Sequence, residues 1–235
     1  MMSSFTETWL RLPLAVAETD GGVMAFLATG GYVMLLIVLC SIAMLAMIVL
    51  AGLRLQAKRV LPAEVVAQLR DVPKFALKGD IRPLQSFLRD QDSPLARVGG
   101  VAVSGNYSSR EACAQACTTQ AKEELHRLEQ GIPVLEMMVS VAPLLGLMGT
   151  TVALVGMFTA FGGDGQSGPD TAAVAHEIGV ALRCTIAGLF VAVPSVLAHT
   201  FFVRRLDGYA VKMGSIIEQA IHDFFTHFEV QRTSD

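Results

Sequence analysis

The chain has 235 residues, 52% of them hydrophobic and 17% charged, with a formal net charge of −3. Soluble domains carry roughly 25% charged residues, so this composition excludes an ordinary soluble enzyme, and the near-neutral balance makes no case for nucleic-acid binding. The length is too short for a many-helix transporter; it suits one membrane module with a modest polar region.

In chain order, residues 1–22 read as an extracytoplasmic lead-in. They hold a short apolar patch from Leu10 to Ala17 interrupted by Pro13, without the basic start and long apolar run of a signal peptide. The first transmembrane helix is predicted over 23–53, inside a run of 33 residues, Gly21 to Leu53, that has no charge. A cytoplasmic helical region follows over 54–136. Pro62, Ala63 and Glu64 open a helix there, with proline near the first position. Lys78-Gly79-Asp80 and Asp92-Ser93-Pro94 punctuate the region. Ser109 is placed to cap a helix that is expected to run without a break into the second span, kinked near the membrane surface at Pro133.

The second transmembrane helix is predicted over 137–162; Met137 to Gly163 lacks charge over 27 residues. A short extracytoplasmic loop over 163–171 precedes the third, over 172–203, in which Cys184 to Val203 is charge-free over 20 residues. About 20 helical residues cross a 30 Å hydrocarbon layer, so all three segments are long enough. Buried helices of a soluble fold would not run 33 residues without a charge.

Basic residues set the orientation. Residues 54–136 carry twelve Lys/Arg and 204–235 carry four, whereas the first twenty carry only Arg11 and the 164–177 stretch carries none. Basic loops stay in the cytoplasm. The N-terminus is therefore predicted outside and the C-terminus inside, with most of the soluble mass cytoplasmic. The tail over 204–235 shows one apolar helical face: Leu206, Tyr209, Met213, Ile216, Ile217, Ala220, Ile221, Phe224 and Phe228. That face needs a covering surface, either in the same chain or in neighbouring subunits.

No catalytic arrangement is visible: there is no Walker motif, nucleophile elbow or HExxH, and Gly163-Asp164-Gly165 lacks the context of a phosphate loop. The reading is not an enzyme, with no cofactor. The four cysteines, Cys40, Cys113, Cys117 and Cys184, read as free thiols; Cys113 and Cys117 lack the further ligands of a metal site.

The spans hold the candidate functional residues. Pro143, Gly146 and Gly149 in the second, with Pro194 in the third, read as helix-packing residues, since small residues let helices approach closely. Thr150, and Thr151 beside it, can bond the backbone turn behind them or line a polar pathway. In the third span Ile178, Ala181, Thr185, Gly188 and Ala192 share one face, mostly small with one hydroxyl. That face suits a wall around another helix or a thin aqueous path. Ionisable groups in spans are usually functional. Glu177 is either an ion-pathway acid or a solvated interfacial group. Arg183 either pairs with an acid on a partner or snorkels to the outer interface.

Two runs carry a family resemblance: Ala-Pro-x-x-Gly-Leu-x-Gly-Thr from Ala142 to Thr150, and Ala-Leu-x-x-Thr-x-x-Gly-Leu-x-x-Ala-x-Pro from Ala181 to Pro194. Over about 134–225 the chain resembles the ExbB/TolQ/MotA proton-channel family, most closely its ExbB and TolQ branches, which also have three spans and an outside N-terminus. The resemblance implies a homo-pentamer in the bacterial inner membrane. Its second and third spans would line a pore holding single-span helices of an ExbD- or TolR-like partner. Proton flow would then do work on the cell envelope through a TonB- or TolA-like protein. By the same resemblance, Thr150 and Thr185 match pore-lining threonines, and Ile178, Ala181, Gly188 and Arg183 would face the partner helix. The sequence departs from the pattern at Val180, where the family usually has a glutamate; Glu177 lies one turn away. This leaves open a diverged Na⁺-driven stator. A non-conducting scaffold and a small-solute channel are the readings from other classes.

Overall fold

The computed structural model describes residues 31–77, 80–161 and 171–232. The expected lead-in, Lys78-Gly79 and most of the 163–171 loop lie outside them. The described residues are helical and contain no strand. The helices are α1 (Gly31–Arg54), α2 (Ala57–Val60), α3 (Ala63–Arg70), α4 (Val72–Leu77), α5 (Arg82–Asp90), α6 (Pro94–Ala102), α7 (Arg110–Glu129), α8 (Ile132–Phe161) and α9 (Thr171–Arg232). Three of them, α1, α8 and α9, are long and apolar enough to cross a membrane, which makes this a multi-pass membrane protein.

The chain divides into two compact units. Of the described residues, one, the apolar unit, holds those up to 47 and those within 134–198; the other, the polar unit, holds those within 48–133 and from 199 on.

The polar unit has its own core. Val65, Leu69, Leu84, Leu88, Leu95 and Val98 pack with Cys113 and Cys117 of α7 and with Met213, Ile217, Ala220 and Ile221 of α9. The apolar face of the tail is thus covered within the chain at Met213, Ile217, Ala220 and Ile221; the side chain of Phe228 lies outside the described residues. Local chemistry starts the helices where the sequence predicts. Pro62 stands at the N-cap of α3. Ser93, followed by Pro94, accepts from the Ala96 amide at 3.2 Å, and Ser109 accepts from the Ala112 amide at 3.2 Å. Each bond satisfies one of the amides left over at a helix start. The side chain of Gln85 donates to the Val103 carbonyl at 2.7 Å, which ties α5 to the end of α6.

Beside this core lies one buried carboxylate. Glu124 is fully buried; Arg97 donates to both its oxygens, at 2.8 and 2.6 Å, and Arg127 and Gln120 donate at 3.2 and 3.3 Å. The fork geometry of arginine suits such a paired arrangement, and the hydrogen bonds from Arg97 to Glu124 raise the guanidinium pKa further.

Two expectations are corrected. The helix from Ser109 does not continue into the second span: α7 ends at Glu129 and α8 begins at Ile132. Gly131 takes φ +100, a conformation that glycine adopts without strain and that ends a helix. Pro133 consequently does not kink a through-helix. It is the second residue of α8, where its missing amide hydrogen is harmless. By contrast, the third span and the tail are one helix, α9, with no break near 203.

Candidate ion-pathway site in the apolar unit

α8 and α9 pack through a seam of small residues. A Cβ added at Gly188 would lie 2.6 Å from the Ala142 carbonyl oxygen and 3.1 Å from Gly146 Cα. A Cβ at Gly146 would lie 3.1 Å from the Cys184 carbonyl oxygen and 3.2 Å from Thr185 Cα. At Gly149 it would lie 2.4 Å from Cys184 Cβ. At Gly156 it would lie 2.9 Å from a carboxylate oxygen of Glu177. Positions rise along α8 as they fall along α9, so the pair is antiparallel. On α8 the seam runs Ala142, Gly146, Gly149, Ala153, Gly156, in steps of four and three that keep to one helix face. Such residues allow the backbones to approach closely enough for dispersion to hold helices together without a hydrophobic driving force. α1 adds Val33, Met34, Ile37 and Met44, all buried; Val33 reaches the Gly149 position, at 3.5 Å from an added Cβ.

The opposite faces are apolar and open. Leu144, Leu147, Val155 and Phe158 of α8 and Leu182, Phe190 and Leu197 of α9 are each more than half exposed. Lipid chains or further helices must cover a surface of this kind.

The polar groups lie on this framework. The hydroxyl of Thr150 donates to the Leu147 carbonyl at 2.7 Å, and that of Thr151 to Met148 at 2.8 Å. Thr185 reaches the Ala181 carbonyl only at 3.4 Å. Its hydroxyl is therefore the least committed of the three and the best able to bond a water or a partner group. Glu177 is half-buried with its carboxylate against Gly156. Arg183 is half-buried on another side of α9, and among the described residues neither it nor Glu177 forms an ion pair. Glu136 and Glu177 are the only carboxylates among the described residues of the apolar unit.

The remaining predicted residues separate by face. Gly188 is buried against the chain's own α8, so its small side is already taken up within the chain. Ala192 is buried too, whereas Ile178 stays 48% exposed and Ala181 is intermediate. Pro143 and Pro194 stand inside α8 and α9; each removes one amide donor from its helix. Next to Pro194, the fully buried Ser195 turns its hydroxyl back to the Val191 carbonyl at 2.8 Å. The sequence reading did not single out Ala153, Gly156 or Ser195. The signal for the first two was the four-three spacing of small residues, which continues beyond Gly149.

Residues 83–214 match the model of the MotA/TolQ/ExbB proton channel family. The chain is 33% identical over 187 residues to a biopolymer transport protein ExbB of Neisseria meningitidis serogroup A, covering 73% of this chain and 81% of that protein. It is 35% identical over 102 residues to an ExbB of Xanthomonas campestris, covering 43% of this chain and 39% of the relative. Against the Tol-Pal system protein TolQ of Haemophilus influenzae it is 33% identical over 96 residues, 41% of each. With both runs that carry the resemblance lying on the packed pair α8 and α9, the chain belongs to the MotA/TolQ/ExbB proton channel family, on its ExbB/TolQ side.

Proposed function

We propose that this chain is the proton-conducting subunit of an ExbB–ExbD or TolQ–TolR type motor in the bacterial inner membrane. The observation that carries the reading is the composition of one helix pair. The closely packed α8 and α9 bear the hydroxyls of Thr150 and Thr185 and the carboxylate of Glu177 within a largely apolar unit. A carboxyl can take up and release a proton. A hydroxyl donates and accepts at once, so it can extend a hydrogen-bonded path.

In this reading the N-terminus lies outside and the C-terminus inside. Five copies surround a pore occupied by single-span helices of an ExbD- or TolR-like partner, which Ile178, Ala181 and Arg183 contact. The exposed apolar faces of α8 and α9 support it, because they need lipid or further helices to cover them. Work leaves the complex through a TonB- or TolA-like protein. One charge moving through 100 mV releases about 2.3 kcal/mol, enough to bias a rotation step, so a large movement needs several protons.

The test is proton uptake in sealed vesicles containing the chain and a candidate one-span partner that carries a membrane aspartate. Uptake under an imposed pH gradient must require both chains and must be lost in Thr185→Ala and in the partner's Asp→Asn variant. A complex that assembles and passes no protons under any gradient makes the chain a scaffold.

A further inference from the structure

The small-residue seam ends at a carboxylate. Gly146 and Gly149 face backbone and the side chain of Cys184, as packing residues do, but at Gly156 the three atoms nearest an added Cβ all belong to the carboxylate of Glu177. An added Cβ there would stand 2.9 Å from one carboxylate oxygen, 3.0 Å from the carboxyl carbon and 3.4 Å from the other oxygen. All three atoms of the acid group lie over the glycine. Neighbouring positions on α8 offer no such opening: Val152, Val155 and Phe158 are bulky and exposed, and Ala153 is buried in the seam. The hydroxyl of Thr159 is turned back to the Gly156 carbonyl at 2.6 Å, so it makes no demand on that space.

We infer that Gly156 is a positioning residue for the Glu177 carboxylate: its missing side chain lets the acid lie against the α8 backbone, on the face of α9 that packs in the seam. The inference rests on the proposed role of Glu177 in the ion pathway. Without the glycine, the carboxylate must swing away from α8, because the acid group as a whole meets the new methyl. A carboxylate held on the seam exchanges protons at a fixed place along α9. A displaced one sits among the apolar side chains of the outer face.

Two readouts test this in membranes containing the full chain. The first is labelling of Glu177 by a membrane-permeant carbodiimide, followed by mass spectrometry of its peptide. Gly156→Ala changes the labelling rate several-fold. Gly179→Ala, where an added Cβ meets nothing within 4 Å, leaves it unchanged. Equal rates in wild type and Gly156→Ala overturn the inference whatever the proton flux. The second is uptake by the complex in vesicles. Gly156→Ala lowers it, and Glu177→Asp in the same chain restores part of it, because the shorter side chain withdraws the acid by about 1.5 Å. In a Glu177→Gln background the glycine substitution has no further effect; a further loss there would mean packing, not positioning, and sinks the inference. If Glu177→Gln alone leaves uptake at the wild-type rate, the acid's role in conduction falls, while the labelling result still decides the seat.

Discussion

The phenol of Tyr209 donates a hydrogen bond to the Leu55 carbonyl at 2.7 Å, joining residues 154 apart in the chain. Leu55 follows the last turn of α1, where carbonyls have no helical partner. The same phenol oxygen accepts from Arg205 Nε at 2.9 Å, and the guanidinium lies 5.9 Å from the Tyr209 ring centroid and 5.7 Å from that of Phe201. Close by in the sequence, Arg54 donates to the Gln130 carbonyl at 3.3 Å, at the end of α7. The ends of α1 and α7 are therefore both closed by side chains of the polar unit. Tyr209→Phe keeps the ring and removes only the hydroxyl. It should destabilise the protein by about 1 kcal/mol, since a buried carbonyl loses its donor. Thermal unfolding of the two proteins in one detergent measures this; an unchanged midpoint would show that water replaces the phenol.

The closeness of α8 and α9 makes Gly188 intolerant of even one carbon. Gly188→Ala brings a methyl to 2.6 Å from the Ala142 carbonyl oxygen, a backbone atom that cannot turn aside. Overpacking of this kind costs about 1–3 kcal/mol. Gly208→Ala is the control, because an added Cβ there meets nothing within 4 Å. It should be neutral or stabilising by up to about 1 kcal/mol through helix propensity. The prediction is a lowered unfolding midpoint for the first substitution and none for the second, in the same detergent.

The spans, the Ser109 cap and the apolar face of the tail were legible in the sequence, because each is encoded by neighbours on one helix. Long charge-free runs, a serine at a cap position, and Tyr209, Met213, Ile217 and Ile221 in steps of four need no knowledge of the fold. The break at Gln130-Gly131 was harder to see. Ala and Leu keep helical spacing through it, and only glycine followed by Pro133 marks it. The side of α9 that meets α8 was not fixed by α9 alone. Gly188 fits a face centred on Thr185 as well as one through Cys184 and Glu177, and the glycines of α8 select the second. Arg97 and Glu124 are 27 residues apart, so nothing local announces their pairing.

That pairing supports a third prediction. Arg97→Ala removes both strong donors from a fully buried carboxylate, leaving Arg127 and Gln120 at longer range. Removing one partner of a buried ion pair typically costs 3–5 kcal/mol; Arg127 compensates in part, so about 3 kcal/mol is expected here. Glu124→Leu together with Arg97→Met removes the charge as well as its partner and should recover most of the loss. Urea titration of the three proteins reads the order directly.

A fourth concerns the thiols of α7. Burial, followed by the charge and hydrogen bond of neighbouring Cys113, pushes the Cys117 thiol up to about 12; burial also raises Cys113. Their sulfurs point at the Ala102 and Val98 carbonyls, at 3.6 Å from Cys113 and 3.9 Å from Cys117. In the unfolded chain Cys117 ionises near 9.0. Above that value the unfolded state has given up the proton that the native state keeps, so stability falls as pH rises from about 9 to about 12, and below 9 the thiol contributes no pH dependence. The slope from one such group reaches about 1.4 kcal/mol per pH unit. Cys117→Ala should flatten the decline between pH 9 and 11 relative to wild type. Iodoacetamide at pH 8 should label Cys117 far more slowly in the native protein than in urea, because the thiolate is the reacting form.

The threonines give the last prediction. All three hydroxyls could serve an ion path, but they differ in what already holds them. Thr151 donates to its own helix at 2.8 Å and Thr150 at 2.7 Å, whereas Thr185 stands 3.4 Å from the nearest turn carbonyl, beside the seam at Gly146. A hydroxyl bound to its own backbone must give up that bond before it can serve another group, at a net penalty of about 1 kcal/mol. Thr185 has little to give up. In the vesicle assay Thr185→Val should therefore lower proton uptake at least about tenfold, equivalent to losing about 1.4 kcal/mol of stabilisation. Thr151→Val should stay near wild type, and Thr150→Val should fall between them. Valine keeps the shape of threonine, so packing is matched across the series and the hydroxyl alone is removed. If Thr151→Val proves as damaging as Thr185→Val, the path follows the exposed side of α8, and Thr185 is a bystander.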